Sequence, residues 1–250
     1  MIVLEKITKI FGEDSSRTLP VLRGIDLQIE KGASYVVLGR SGVGKSVLLK
    51  VLLGLFPMTS GDAFVEGLSV HDRTHRHTYL RYFGMLFQGG ALFDSMTILG
   101  NIVFALTERG VPRKQATEIA REKLTAVGLG EARVRTLFPS ELSGGMQKRA
   151  ALARAIALDP KILLFDEPTT GLDPITSSKI AYLLRDTVQT LGATAITITH
   201  DLVTARVLAD RICLLEDGQI AWQGTQEELE TTDNPQMISL LKAAKGERAL

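Results

Sequence analysis

Tyr35-Val36-Val37-Leu38-Gly39-Arg40-Ser41-Gly42-Val43-Gly44-Lys45-Ser46 decides the fold. Its first four residues form a continuous apolar strand, of the kind buried on both faces of a parallel sheet. A glycine-rich turn follows, and a helix is expected from about Ser46 to Leu55. Strand, loop and helix in that order make a phosphate-binding loop. Phosphate is a diffuse anion. Gly42 and Gly44 let the backbone curl so that consecutive N–H groups face it, and the helix start adds the positive end of its dipole. Lys45 is expected to reach the β- and γ-phosphates of a nucleoside triphosphate, and the Ser46 hydroxyl to bind Mg²⁺. Gly39, Arg40, Ser41 and Val43 complete the nucleotide-binding loop.

A second apolar run, Ile162-Leu163-Leu164-Phe165, ends in Asp166-Glu167. Asp166 suits the hydration shell of Mg²⁺, binding it through water. Glu167 can polarise the water that attacks the γ-phosphate. Two acids ending a buried strand equally suit a capping turn; the phosphate loop upstream favours the catalytic reading. Between the two motifs lies Leu142-Ser143-Gly144-Gly145-Met146. Ser143 is a good N-cap, and Gly144 and Gly145 leave N–H groups uncovered at a positive helix end. This makes a second anion site, although a plain helix cap would look the same. One ATP does not easily fill both sites of one subunit. A two-fold dimer solves this, with Ser143 to Gly145 of one chain closing over the nucleotide held by the other.

The rest of the chain fits an α/β core of the P-loop NTPase class. Ile2-Val3-Leu4 and Ile25 to Ile29 read as strands separated by a polar break from Gly12 to Thr18. A strand ending at Leu86-Phe87 gives way to Gln88-Gly89-Gly90. From about Thr97 to Leu158 the text is helical, with one helix over Arg113 to Val127 after Pro112 and another from Ser143 through Ala155. A helix over Ser177 to Thr190 between the Ile162 run and Ala195 to Thr199 makes a βαβ unit, hence a parallel sheet. Asp217-Gly218 reads as a hairpin turn and Thr225 to Glu228 as a capping box. The division expected is a core and β subdomain at about 1–88 and 158–224, a helical insertion at about 89–157, and a helical tail at about 225–250.

Apolar residues make up 45% of the 250 and charged residues 23%, enough for a sizeable core. The net charge of +1 and the lack of a dense basic block disfavour nucleic acid. No apolar run is long enough to span a membrane, and the early charges of the N-terminus do not read as a signal peptide. Cys213, alone in an apolar run, reads as a buried reduced thiol. His71, His75 and His77 could be metal ligands, but Arg73, Arg76 and Arg81 among them favour a solvated turn. The final helix, through Met237, Ile238, Leu240 and Leu241, has a short apolar face for the core or a partner.

Together these motifs resemble the nucleotide-binding subunits of ATP-binding-cassette (ABC) transporters, from about Leu4 to Leu229. The resemblance implies a RecA-like core with an N-terminal antiparallel β subdomain and a helical insertion. It implies ATP with Mg²⁺, a homodimer and an integral membrane permease. By the same resemblance Phe11 stacks on adenine, though a core ring is the alternative because the segment Glu13 to Thr18 is longer than expected. Gln88 is the loop glutamine that ligates Mg²⁺ and the attacking water, Asp173 of Gly171-Leu172-Asp173 crosses the dimer interface, and His200 contacts the γ-phosphate. Met146 departs from the usual family glutamine.

Three stretches are further similar to the Mla/Mce-type phospholipid transport group: Phe87 to Thr97, Glu141 to Arg149 and Asp173 to Ser177. Ala91-Leu92-Phe93 would suit a permease helix docking in a groove, or would pack the insertion's own core. The implied partners are an MlaE-like permease, an MlaD-like membrane-anchored MCE lipid-binding protein and an MlaB-like STAS-domain protein. The implied location is the cytoplasmic face of the bacterial inner membrane. Two other readings stay open: an importer ATPase for amino acids or another small solute, and a non-transport regulatory ABC ATPase. Repair members with long coiled-coil insertions and two-cassette translation factors fit less well, since the sequence shows neither feature.

Overall fold

A computed structural model describes residues 1–12 and 18–244; residues 13–17, most of the Glu13-to-Thr18 segment, lie outside the described residues. Two compact units form, Met1–Tyr82 with Thr194–Leu250, and Phe83–Ala193. In chain order the first unit begins with β1 (Ile2–Phe11), β2 (Leu19–Ile29), β3 (Ser34–Leu38), α1 (Lys45–Leu52), β4 (Ser60–Val65), β5 (Leu68–Ser69) and α2 (Arg76–Tyr79). The second unit carries β6 (Phe83–Leu86), α3 (Ile98–Thr107), α4 (Arg113–Ala126), α5 (Ala132–Thr136), α6 (Gly144–Ala155), β7 (Ile162–Asp166) and α7 (Pro174–Leu191). The chain then returns to the first unit with β8 (Thr194–Thr199), α8 (Leu202–Leu208), β9 (Arg211–Glu216), β10 (Gln219–Thr225), α9 (Gln226–Glu230) and α10 (Pro235–Ala244).

In the first unit β3 runs parallel to β8 on one side and to β9 on the other. All five of its residues are buried, as its unbroken apolar run requires. Apart from it, β1 pairs antiparallel with β2 and β4, which is the expected N-terminal β subdomain. Both strands are longer than the sequence suggests. A register shift between Leu4 and Ile7, with Lys6 at φ 49, moves the buried face of β1 by one residue. Ile2 and Leu4 point inward before this bulge and Ile7 after it, so simple alternation fails in mid-strand. Asp217 (φ 45) and Gly218 (φ 76) form the two-residue turn joining antiparallel β9 and β10. Thr225 and Glu228 make the expected capping box. Met237 of α10 is fully buried, so this helix packs on its own unit.

In the second unit β6 and β7 are parallel partners. α4 starts directly after Pro112 and α6 directly after Ser143, close to where the sequence places them. β6 and α6 lie so close that Gly84 cannot be anything larger. A methyl group there would run into the Ala155 carbonyl and come within 2.8 Å of Pro160 Cγ. No helix among the described residues is long and apolar enough to cross a membrane.

Gly84→Ala should therefore force β6 away from α6 and cost about 1–3 kcal/mol. In a chain of this size that is a fall in Tm of at least about 2 °C, read by thermal unfolding. Cys213 is fully buried, which pushes its thiol up to about 12. A thiol reagent at pH 8 should label the native protein only as fast as it unfolds; rapid stoichiometric labelling would contradict its burial.

Candidate functional site

Within the first unit, the phosphate loop leaves the sheet at the C-terminal end of β3. Leu38 pairs with Thr199 of β8, so Gly39 and His200 depart from the same sheet edge. Gly39 is pressed against the backbone. A Cβ there would lie 2.5 Å from the Leu215 carbonyl and 2.9 Å from Val43 Cγ2. Gly42 (φ 86) and Gly44 (φ 108) take the left-handed conformations that curl the loop. Gly44 is also the N-cap of α1, so no side chain covers that helix end and no acid stands in its first turn. A positive end kept bare in this way favours an anion. Lys45 is only 6% exposed. Its ammonium donates to the carbonyls of Gly39 (2.7 Å) and Arg40 (2.9 Å), which satisfy the buried charge. Arg40, Ser41 and Ser46 are exposed and Val43 is half-buried.

His200 is exposed at the end of β8. The next residue, Asp201, caps α8 by accepting from the N–H groups of Val203 (3.0 Å) and Thr204 (3.1 Å). The strand-to-helix turn bearing His200 is thus pinned on its C-terminal side. Phe11 closes β1, half-buried. Its ring meets Phe56 edge-on at 5.4 Å, and the Lys9 ammonium lies 4.8 Å from its centroid. Nothing in the sequence points to either neighbour.

Within the second unit, β7 delivers half-buried Asp166 and then Glu167, which is 9% exposed. Glu167 has φ 46, a strained conformation for a residue with a Cβ. Thr170 Oγ1 donates to its Oε2 at 3.1 Å. Gln88 is exposed just beyond β6, where Gly90 N–H turns back to the Phe87 carbonyl at 2.8 Å. Ser143 caps α6 as expected, its Oγ accepting from Met146 N–H at 3.4 Å. The Gly144-Gly145 pair has a second role. A Cβ on Gly145 would sit 2.7 Å from Thr176 Cγ2, and one on Gly144 3.1 Å from Leu172 Cδ2. The start of α6 is therefore seated against the Leu172-Asp173 turn and the first turn of α7. Asp173 caps α7, accepting from Ile175 (3.1 Å) and Thr176 (3.0 Å) N–H groups. The Thr176 hydrogen bonds lower its carboxyl below the usual range.

Three residues escape a reading of the sequence. Lys148, 7% exposed, donates to the carbonyls of Gln88 and, at 3.5 Å, Glu167. Arg154 donates to the carbonyls of Ala91 (2.6 Å) and Gly90 (2.8 Å). Asn101, fully buried in α3, holds the N–H (2.7 Å) and carbonyl (3.1 Å) of Phe93 and the carbonyls of Met96 and Thr97. Asn101 does carry a signal: a lone amide in an apolar helix must find partners. Phe93 is 45% exposed and rests edge-on against Phe104 at 5.2 Å. Phe83, Phe87, Phe93, Phe104, Arg109 and Arg154 help to line a groove of about 550 Å³.

The histidines lie elsewhere. His75 sits 3.4 Å from Asp72 on the surface around α2. Among the described residues no group of three or more His, Cys, Asp and Glu is gathered to hold a metal.

Residues 22–170 match the family model described as ABC transporter. The chain is 40% identical to the glutamine transport ATP-binding protein GlnQ of Escherichia coli, across 92% of this chain and 93% of that protein. It is 38% identical to the intermembrane phospholipid transport system ATP-binding protein MlaF of Haemophilus influenzae, across 87% and 83%. The solved dimeric post-hydrolysis state of the ATP-binding cassette MJ0796, bound to ADP and Pi, superposes with a TM-score of 0.81. It is 31% identical, over 90% of this chain and 98% of that one. With the phosphate loop, the acid-tipped strand and the serine-capped glycine helix all in place, the chain belongs to the ABC transporter family as an ATP-hydrolysing cassette.

Proposed function

We propose that this cassette powers the movement of glycerophospholipid between membranes, two chains sandwiching two ATP molecules. The observation that carries the choice of cargo is the Phe87-to-Thr97 stretch. It resembles the Mla/Mce group, the chain as a whole being 38% identical to MlaF of Haemophilus influenzae, and it presents half-exposed Phe93 beside an apolar groove. A permease's cytoplasmic helix is the occupant we assign to that groove. MlaE-like, MlaD-like and MlaB-like partners follow on this reading, as does a peripheral place on the cytoplasmic face of the inner membrane. The identity to GlnQ, 40%, favours a second reading as an amino-acid importer ATPase.

In the proposed mechanism Lys45 exchanges its two carbonyl partners for β- and γ-phosphate oxygens. The bare start of α1 and the curled Gly39-to-Gly44 backbone take the remaining phosphate charge. Phe11 packs on the adenine, with Phe56 holding its ring in place. Glu167 accepts a proton from water as the water attacks the γ-phosphorus and the bond to the β–γ bridging oxygen breaks, leaving ADP and phosphate. Lys45 and His200 stabilise the charge that develops on the γ-oxygens. Ser143, Gly144 and Gly145 of the partner chain close over the same phosphate, and Asp173 lies at the dimer contact. Ser46 hydroxyl, Gln88 amide oxygen and Asp166 carboxylate are hard oxygen donors, a set that fits Mg²⁺, with Asp166 acting through water. Bound there, the ion would neutralise phosphate charge.

Glu167→Gln should bind ATP with affinity close to the parent but hydrolyse it at least about 100-fold more slowly, accumulating closed dimers on a sizing column. Full turnover in that variant would remove Glu167 from the mechanism. Lys45→Ala should lose nucleotide affinity in a fluorescent-ATP titration; unchanged binding would sink the phosphate-loop assignment. Cargo is decided by isolating the chain from membranes and identifying what travels with it. A lipid-loaded complex with an MCE protein supports the phospholipid reading, and a permease with a periplasmic amino-acid-binding protein contradicts it.

A further inference from the structure

α6 does more than present Ser143. Lys148 is buried and Arg154 half-buried, and both spend hydrogen bonds on backbone carbonyls of other segments in the same unit. Lys148 holds Gln88 and Glu167; Arg154 holds Gly90 and Ala91. Burial lowers the pKa of both, and for Lys148 the nearby Asp166 and Glu167 carboxylates act in the opposite direction. A charge held in such a place needs these carbonyls, and losing them would leave it unsatisfied. Two of the residues held in this way are under backbone strain. Ala91 (φ 49) and Glu167 (φ 46) both adopt left-handed conformations without being glycine. Strained backbone persists where its surroundings over-determine it, and here one helix supplies the restraint at both places. An apolar side chain could fill the volume of Lys148 but could not join two carbonyls.

We infer that Lys148 is a positioning residue for hydrolysis: its ammonium bridges the carbonyl of Gln88 and the carbonyl of Glu167 and so fixes the backbone that aims the Glu167 carboxylate. The inference rests on the reading of Glu167 as the base that activates water. It gives the groove beside Phe93 a route to the reacting end of the nucleotide. A displacement of the Gln88 loop reaches the Glu167 backbone through one ammonium.

The test uses the full chain with Lys148→Met, which keeps the length and loses the donors, and Lys148→Arg, which keeps a cation. ATP turnover, KM, fluorescent-ATP affinity and Tm are measured together. The methionine variant should lose about tenfold or more in kcat while KM and ATP affinity stay within about twofold, and arginine should restore kcat to within about threefold of the parent. Unchanged kcat in the methionine variant would overturn the inference. So would parallel losses of kcat, ATP affinity and Tm that arginine does not rescue, since those mark a purely structural lysine. If the methionine variant does not fold, Lys148→Leu, which also lacks a donor, carries the same reading: a fall in kcat at constant KM supports the role and parental kcat overturns it. Glu167→Gln assayed alongside separates the two claims. Full turnover there removes the base and this inference with it. An inactive Glu167→Gln beside a fully active Lys148→Met removes the positioning role alone.

Discussion

A buried ammonium satisfied by its own loop is the interaction on which the nucleotide end of the first unit depends. Lys45 has almost no contact with solvent, and the Gly39 and Arg40 carbonyls hold its charge. Those carbonyls point inward only because the loop curls through left-handed Gly42 and Gly44. The curl in turn starts from a strand fixed by parallel neighbours on both sides. The same parallel register brings His200 out beside Gly39. Gly44, by serving as N-cap without a side chain, leaves the helix dipole unanswered. On the proposed reading, phosphate oxygens replace the Gly39 and Arg40 carbonyls at the Lys45 ammonium with little reorganisation of the loop.

The second unit is organised by α6 in a comparable way. Its two leading glycines admit Leu172 and Thr176, and Gly84 lets β6 approach its other end. Its cations restrain the backbone on both sides of the Gln88 loop and behind Glu167. Asn101 does the same for the loop from Phe93 to Thr97, which leaves the Phe93 ring half exposed while its backbone is fixed. A partially exposed aromatic on a rigid backbone is a suitable anchor for a partner, and the partner we assign to it is a permease helix.

Much of this is legible in the residues because local chemistry dictates it. The Tyr35-to-Ser46 stretch has one plausible geometry. Ser143, Asp217-Gly218, Pro112 and Thr225 each mark a boundary through a cap or a turn, and the structure places α6, the β9–β10 hairpin, α4 and α9 accordingly. β1 looks shorter in the sequence than it is, because a bulge at Lys6 breaks its alternation. Lys148 and Arg154 look like ordinary surface cations of a helix. Only tertiary packing reveals that Lys148 is buried and Arg154 half-buried, since their partners are carbonyls, which carry no mark in a sequence. The glycine pair of α6 reads as an opening for an anion. That it also makes room for Leu172 and Thr176 is invisible there, because those residues lie more than twenty-five positions away. Cargo identity is faint for a different reason. A cassette touches its permease, and the permease touches the cargo.

The central claim is that each ATP is completed by two chains, Lys45 from one and Ser143 from the other. Mixing Lys45→Ala with Ser143→Arg tests it most directly. Neither variant alone contains an intact site, but a mixed dimer contains one. With random pairing at equal concentrations, about a quarter of the parental sites are restored. Two inactive proteins should then regain ATP turnover on mixing, rising towards that fraction. Persistent inactivity at every mixing ratio, with mixed dimers confirmed by differential tags, would contradict the shared site.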